Sequence, residues 1–166
     1  VFRDWLQNEQ TLSGLLAFVH GGQVWLADLA SGELRTVSAP PGAADAGAPP
    51  DPLYLDGWSP DGRGLLVYTE DAVYWYIPVS GRLERLAAAG NYAGSRWSCD
   101  GRYAVLDWGT DVIRTMAVFD STQGRVLGQV TAFSAVWSPD APQIFISSPE
   151  AVDPRSRQAT GHPAPW

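Results

Sequence analysis

Short apolar runs separated by clusters of Gly, Pro, Asp and Ser recur along this chain as far as residue 148, after which the alternation stops. Runs this short, rich in aromatic and β-branched residues, predict β-strands. One set places strands at 55–58, 64–69, 73–78 and 82–86, and a second at 95–97, 103–108, 115–120 and 125–130. An earlier set runs 15–19, 24–29 and 34–37, and a last one offers only 133–137 and 143–147. Each complete set has the layout of a four-stranded antiparallel unit joined by tight turns. Alternation within 73–77 puts Tyr74 and Tyr76 on one face and Trp75 on the other, and a sheet packed on both faces buries all three.

The sets are copies of one repeat. Trp58-Ser59-Pro60-Asp61-Gly62 returns as Trp97-Ser98-Cys99-Asp100-Gly101 and as Trp137-Ser138-Pro139-Asp140, with tryptophans 39 and 40 residues apart. A period of about 40 residues around a turn signature predicts stacked copies of one small β unit, a propeller. The fold class expected is therefore all-β, a propeller segment of about three and a half four-stranded antiparallel blades, incomplete as a closed ring. Its parts are a lead-in at 1–10, blades at 11–37, 54–87 and 93–131, a partial blade at 132–148, a flexible Ala/Pro/Gly loop at 38–53, and an irregular Pro-rich tail at 149–166. Closed propellers have roughly four to eight blades, because closure removes exposed sheet edges. Three arrangements meet that need: a longer protein, two copies that close a ring, or another chain over the open edge. A chain opening on Val1 predicts a processing site or preceding residues.

The motif residues have local work to do. In Ser-Pro-Asp-Gly, proline presets φ at the second turn position, Asp suits the third and Gly the fourth. Turn formation thus accounts for Ser59, Pro60, Asp61, Gly62, Ser98, Asp100, Gly101, Ser138, Pro139 and Asp140, although the three aspartates also form an acidic set. Trp58, Trp97 and Trp137 are large apolar plates at equivalent places in successive blades, suited to packing between them. Cys99 stands at a proline position and is the only cysteine, so the chain contains no intrachain disulfide.

Composition then narrows the function. The chain is 45% hydrophobic and 11% aromatic, ample for a core. All eleven basic residues are arginine and the net charge is −7, which disfavours nucleic acid as a partner. Arg63 and Arg102 follow the two full turns and have Glu70, Glu84 and the turn aspartates as candidate ion-pair partners. No apolar run is long enough to span a bilayer.

Trp58-Ser59-Pro60-Asp61-Gly62-Arg63 followed by an apolar strand resembles the WD-repeat-like blades of the TolB-type β-propeller family, and the resemblance covers roughly residues 11 to 148. Val24-Trp25-Leu26-Ala27-Asp28 and Ala117-Val118-Phe119-Asp120 are looser counterparts of a second segment of those blades. The departures are Cys99 for proline, Ala141 where Gly is expected, and Ile77 for the turn Asp of the second blade. The resemblance implies a periplasmic or cell-surface bacterial protein that binds other proteins, or a propeller attached to a serine peptidase.

Catalytic and metal signatures are missing. Gly57-Trp58-Ser59-Pro60-Asp61 is the nearest string to a G-x-S-x-G nucleophile elbow, but Pro60 and Asp61 make it the repeat turn and no helix follows. His20 and His162 have no second ligand at metal spacing, and Asp51, Asp56 and Asp61 do not reproduce a calcium loop. The expectation is a non-catalytic protein-binding or assembly module outside the cytoplasm, with no cofactor and no metal. It has a protein partner, further blades or a homo- or hetero-oligomeric neighbour over the open edge. Two alternatives stay open: the accessory propeller of an enzyme, and a carbohydrate-binding propeller with Tyr74, Trp75, Tyr76 or Trp108 as a platform.

Overall fold

The computed structural model describes residues 13–38, 52–109, 112 and 114–147. The expected lead-in, most of the Ala/Pro/Gly loop, the tail and His162 lie outside the described residues. Those that are described form thirteen strands and no helix. The first sheet holds β1 (Leu15–His20), β2 (Gln23–Asp28) and β3 (Leu34–Val37), in that order. The second holds β4 (Tyr54–Trp58), β5 (Leu65–Tyr68), β6 (Ala72–Ile77) and β7 (Arg82–Ala88), and the third β8 (Tyr92–Trp97), β9 (Tyr103–Trp108), β10 (Arg114–Asp120) and β11 (Arg125–Ala132). A final pair joins β12 (Ser134–Trp137) to β13 (Ile144–Ser147). Every pairing is antiparallel between sequence neighbours, the pattern of a meander that turns back on itself. The fold is an all-β stack of propeller blades, and among the described residues no helix is long and apolar enough to cross a membrane.

Three apolar cores hold the stack together, one between each pair of successive blades. Val24, Leu26 and Val37 of the first blade meet Leu65, Val67, Tyr74 and Tyr76 of the second. The other face of the second blade gives Leu66, Val73 and Trp75 to the third, which answers with Ala104, Leu106, Trp108, Ala117 and Phe119. Val105 and Met116 from the third blade's far side close on Ala135, Trp137, Ile144 and Ile146 of the fourth. Alternation along β6 and β9 sends neighbouring side chains into different cores, which is why these strands are apolar on both faces.

Some strands run longer than expected. β8 starts at Tyr92 rather than 95, because Gly90 and Asn91 both take left-handed backbone (φ 38° and 60°) and turn the chain straight into the strand. Asn is one of the few side-chain-bearing residues that tolerates this conformation. Ala93 is then extra in the register, since Tyr92 faces Trp108 and Gly94 faces Asp107. β4 carries the same kind of bulge at Asp56, between Leu55 and Gly57. A bulge bends its strand and re-aims a side chain, and both inner strands use one just before the repeat tryptophan.

Candidate functional site

The up-and-down strand order gives the stack two unlike ends. At the turn end sit the repeat turns and the third-to-fourth-strand turns. At the other end, the loop end, lie Ser38 and Pro52, residues 89–91, Phe133 and the second-to-third-strand loops.

The turn end satisfies itself. Ser59 Oγ donates to Asp61 Oδ1 (2.7 Å) and accepts from the Gly64 amide (3.2 Å), and Asp61 Oδ1 also takes the Arg63 amide (3.1 Å). Ser98 and Asp100 repeat the arrangement with Tyr103 and Arg102. Gly62 and Gly101 complete the turns at φ 71° and 70°, donating to Ser59 and Ser98 carbonyls. Ser98's hydrogen bond, first of all, holds the Asp100 carboxyl below its ordinary pKa. The third turn differs: with Ala141 in place of Gly, Gln143 N donates to the Ala141 carbonyl instead, and Asp140 is tied only by its own amide to Ser138 Oγ at 3.4 Å. Pro60 and Pro139 are exposed, and Gly101 is packed so closely on the preceding turn that an added Cβ would lie 3.1 Å from the Asp61 amide nitrogen. The Asp61 and Asp100 carboxylates are thus each committed to a separate turn, while Asp140 joins its turn through its backbone amide. Among the described residues no group of three or more His, Cys, Asp or Glu side chains is placed to hold a metal.

The repeat tryptophans lie between blades. Trp58, Trp97 and Trp137 each pack into the core shared with the preceding blade. Trp97 meets Trp75 (5.8 Å) and Phe119 (6.3 Å), Trp137 stacks on Tyr103 (6.2 Å), and the Trp137 indole donates to the Arg96 carbonyl at 2.8 Å. Tyr74, Trp75, Tyr76 and Trp108 are all buried, which removes the carbohydrate platform imagined from them. Among the arginines, Arg63 pairs with Asp61 and Arg102 with Asp120, both turn aspartates.

At the loop end the structure assembles groups that sequence reading missed. Tyr54, Tyr68, Tyr92 and Trp108 form a continuous row of rings across the second and third blades, with centroids 5.2, 5.1 and 5.8 Å apart. The bulge at Asp56 brings its carboxylate to the Tyr92 hydroxyl, which donates to Oδ2 at 2.9 Å. Burial, and then the Asp56 charge, push the Tyr92 pKa up, so it stays a donor. One face further on, Asp107 is buried and takes both Arg96 (3.1 Å) and Arg114 (2.8 Å) on Oδ2. This pins β8, β9 and β10 together, while Oδ1 finds no partner among the described residues. The only signal in the sequence was an acid inside an otherwise apolar strand, Tyr103–Trp108.

No protein-family model matches the sequence, and no curated protein matches it. Among solved structures it is similar to the β-propeller domain of the Trilobed protease from Pyrococcus furiosus, at 15% identity and a TM-score of 0.55, over 81% of this chain and 45% of that one. It is also similar to the acylaminoacyl peptidase of Pyrococcus horikoshii, at 14% identity and a TM-score of 0.51, over 80% of this chain and 25% of that one. A putative TolB from Agrobacterium tumefaciens shares 18% identity at a TM-score of 0.48, over 80% of this chain and 48% of that one. The chain spans less than half the length of each. Likeness at this level of identity establishes the fold, and the fold is a stretch of β-propeller blades.

Proposed function

We propose that these blades are a non-catalytic protein-binding or assembly module, acting outside the cytoplasm as part of a larger protein or complex. The observation that carries this reading is the fourth blade, whose two described strands leave Val136 and Phe145 exposed as a cross-strand pair. Monomeric proteins seldom leave such an edge uncovered, because unpaired backbone and apolar side chains together recruit other strands. The loop end supplies the recognition surface, where Tyr54 is exposed and the Arg96 and Arg114 side chains reach out from the buried Asp107. Placement outside the cytoplasm rests on the resemblance to TolB-type blades alone.

The test is the mass of the native particle, measured by light scattering beside the intact mass of its polypeptide. The expected result is a polypeptide or a particle well above the 17.9 kDa of these residues. A monodisperse 17.9 kDa monomer in the native source ends the reading.

A second reading is the accessory propeller of an enzyme such as a serine peptidase. It is favoured by the two similar structures with the higher TM-scores, which belong to a protease and a peptidase. A hydrolase fold on the same native polypeptide decides for it.

A further inference from the structure

We propose that Asp56, with Tyr54, Tyr68 and Tyr92 around it, is a binding site for an alkylammonium group, the chemistry that free primary amines and lysine side chains share. The site lies at the loop end between the second and third blades. It stands apart from the assembly reading, since it needs only residues of these two blades.

Asp56 is a carboxylate without a cation. Among the described acidic side chains that are at least partly buried, Glu84 pairs with Arg82, Asp107 with Arg96 and Arg114, and Asp120 with Arg102. Asp28 accepts the Ala30 and Ser31 amides of its own turn. Asp56 is partly buried too, yet its hydrogen bond is from a neutral group, the Tyr92 hydroxyl, on Oδ2 at 2.9 Å. Oδ1 takes no hydrogen bond from the described residues. A carboxylate partly withdrawn from water and left unpaired raises the free energy of the fold, and a bound cation offsets that cost.

Oδ1 is also kept clear. The bulge in β4 turns Asp56 toward the third blade, where Gly94 lies beside it. Gly94 has φ 128°, a conformation that residues with side chains rarely adopt, and a Cβ there would lie 3.4 Å from Oδ1. A longer side chain would cover the oxygen, whereas glycine leaves it open.

The walls around this carboxylate are aromatic. Tyr54 stacks on Tyr68, and Tyr68 lies tilted at 58° to Tyr92. Tyr54 is exposed, and Tyr68 and Tyr92 are half-buried. Aromatic ring faces attract cations, which aliphatic walls do not. Glu70 and Asp71 are exposed on the loop that follows Tyr68, and their charges add to the negative potential that draws a cation to this end.

The donors and acceptors present select the kind of cation. A guanidinium favours two carboxylate oxygens side by side, and Tyr92 already occupies one of them. Calcium takes roughly six to eight oxygen ligands. Among the described residues no group of three or more His, Cys, Asp or Glu side chains is placed to hold a metal. An ammonium group needs one strong acceptor and a ring face, and Asp56 and its tyrosines present both.

The experiment is an NMR titration of the full native polypeptide, carrying isotope-labelled tyrosine rings, with butylammonium chloride. Butanol, guanidinium chloride and sodium chloride at equal ionic strength are titrated beside it. Butylammonium should shift the Tyr54, Tyr68 and Tyr92 signals saturably, while the buried Tyr74 and Tyr76 stay in place and report an intact fold. Asp56→Asn can still accept from Tyr92 and should weaken binding by about tenfold or more, as expected for a hydrogen bond to a charged group. Tyr54→Leu should weaken it by about two- to fivefold, the range of one exposed cation–π contact. Asp140→Asn, at the turn end, should leave it unchanged. Nα-acetyl-lysine methylamide, whose one amine is the side chain, separates the sources: tighter binding than butylammonium assigns a partner's lysine, and weaker binding a free amine. An equal response to butanol overturns the inference in favour of an apolar site, and tighter binding of guanidinium overturns the ammonium preference. Butylammonium binding that survives Asp56→Asn, or no saturable response at all, overturns the site.

Discussion

Gly64 has no side chain because the indole of Trp75 occupies the place where one would go. Its backbone needs no left-handed conformation, so the requirement is one of space. Trp75 is itself among the largest fully buried side chains and meets Trp97 and Phe119 in the core between the second and third blades. Gly64→Ala forces that ring to shift within a close-packed cluster. The expected loss is about 1–3 kcal/mol, the usual range for overpacking, read as a lower denaturation midpoint at unchanged m-value. A neutral result means that the indole has room to tilt. The sequence gives no hint of this glycine's role, because the contact joins residues eleven positions apart whose approach depends on strand register.

Among the elements, the turn after β10 shows how a side chain takes over backbone work. Asp120 is fully buried, and its Oδ1 accepts the amides of Thr122 and Gln123 and the Thr122 hydroxyl, while Oδ2 takes Arg102 and the Gln123 side chain. Burial works to raise its pKa, but the bonds from Thr122, Arg102 and Gln123 outweigh it and hold the carboxyl below its ordinary value. A carboxyl with a lowered folded-state pKa stabilises the protein fully above its unfolded pKa, near 4, and loses that contribution as pH falls through the folded value. Asp120→Asn should therefore destabilise at pH 7, with the gap to wild type narrowing below about pH 4 in urea melts. A gap that stays constant with pH assigns the effect to shape rather than charge. The equivalent turn after β6 has Ile77 instead, and there Ser80 Oγ caps the Arg82 amide. Such turns were legible in the sequence because Ser, Pro, Asp and Gly act within five residues. The Tyr54–Tyr68–Tyr92–Trp108 row and the Asp107 cluster were not, because bulges at Asp56 and Ala93 set which rings and charges meet, and bulges leave no mark in composition.

At the scale of the whole molecule, each blade touches only its neighbours, so stability divides into blade terms and interface terms. Among the described residues, the second and third blades have a core on both faces, and the fourth has one on its inner face. Amide hydrogen exchange should be slowest in β5, β6, β9 and β10 and fastest in β13, whose outer edge has no strand partner among the described residues. Equal protection across all thirteen strands rules out this gradient and implies one cooperative unit. The period and turn signature made the blade stack legible at this scale, since a repeat states its architecture once per copy.

Nesting of one repeat turn upon the next, with Gly101 lying against Pro60 and Asp61, means that each new copy is aligned by the copy just before it and by nothing more distant. Such a lineage can lengthen or shorten by whole units through simple duplication or loss of gene segments. Descendants that differ in ring size are then a more accessible evolutionary step than descendants that differ in the shape of a single blade.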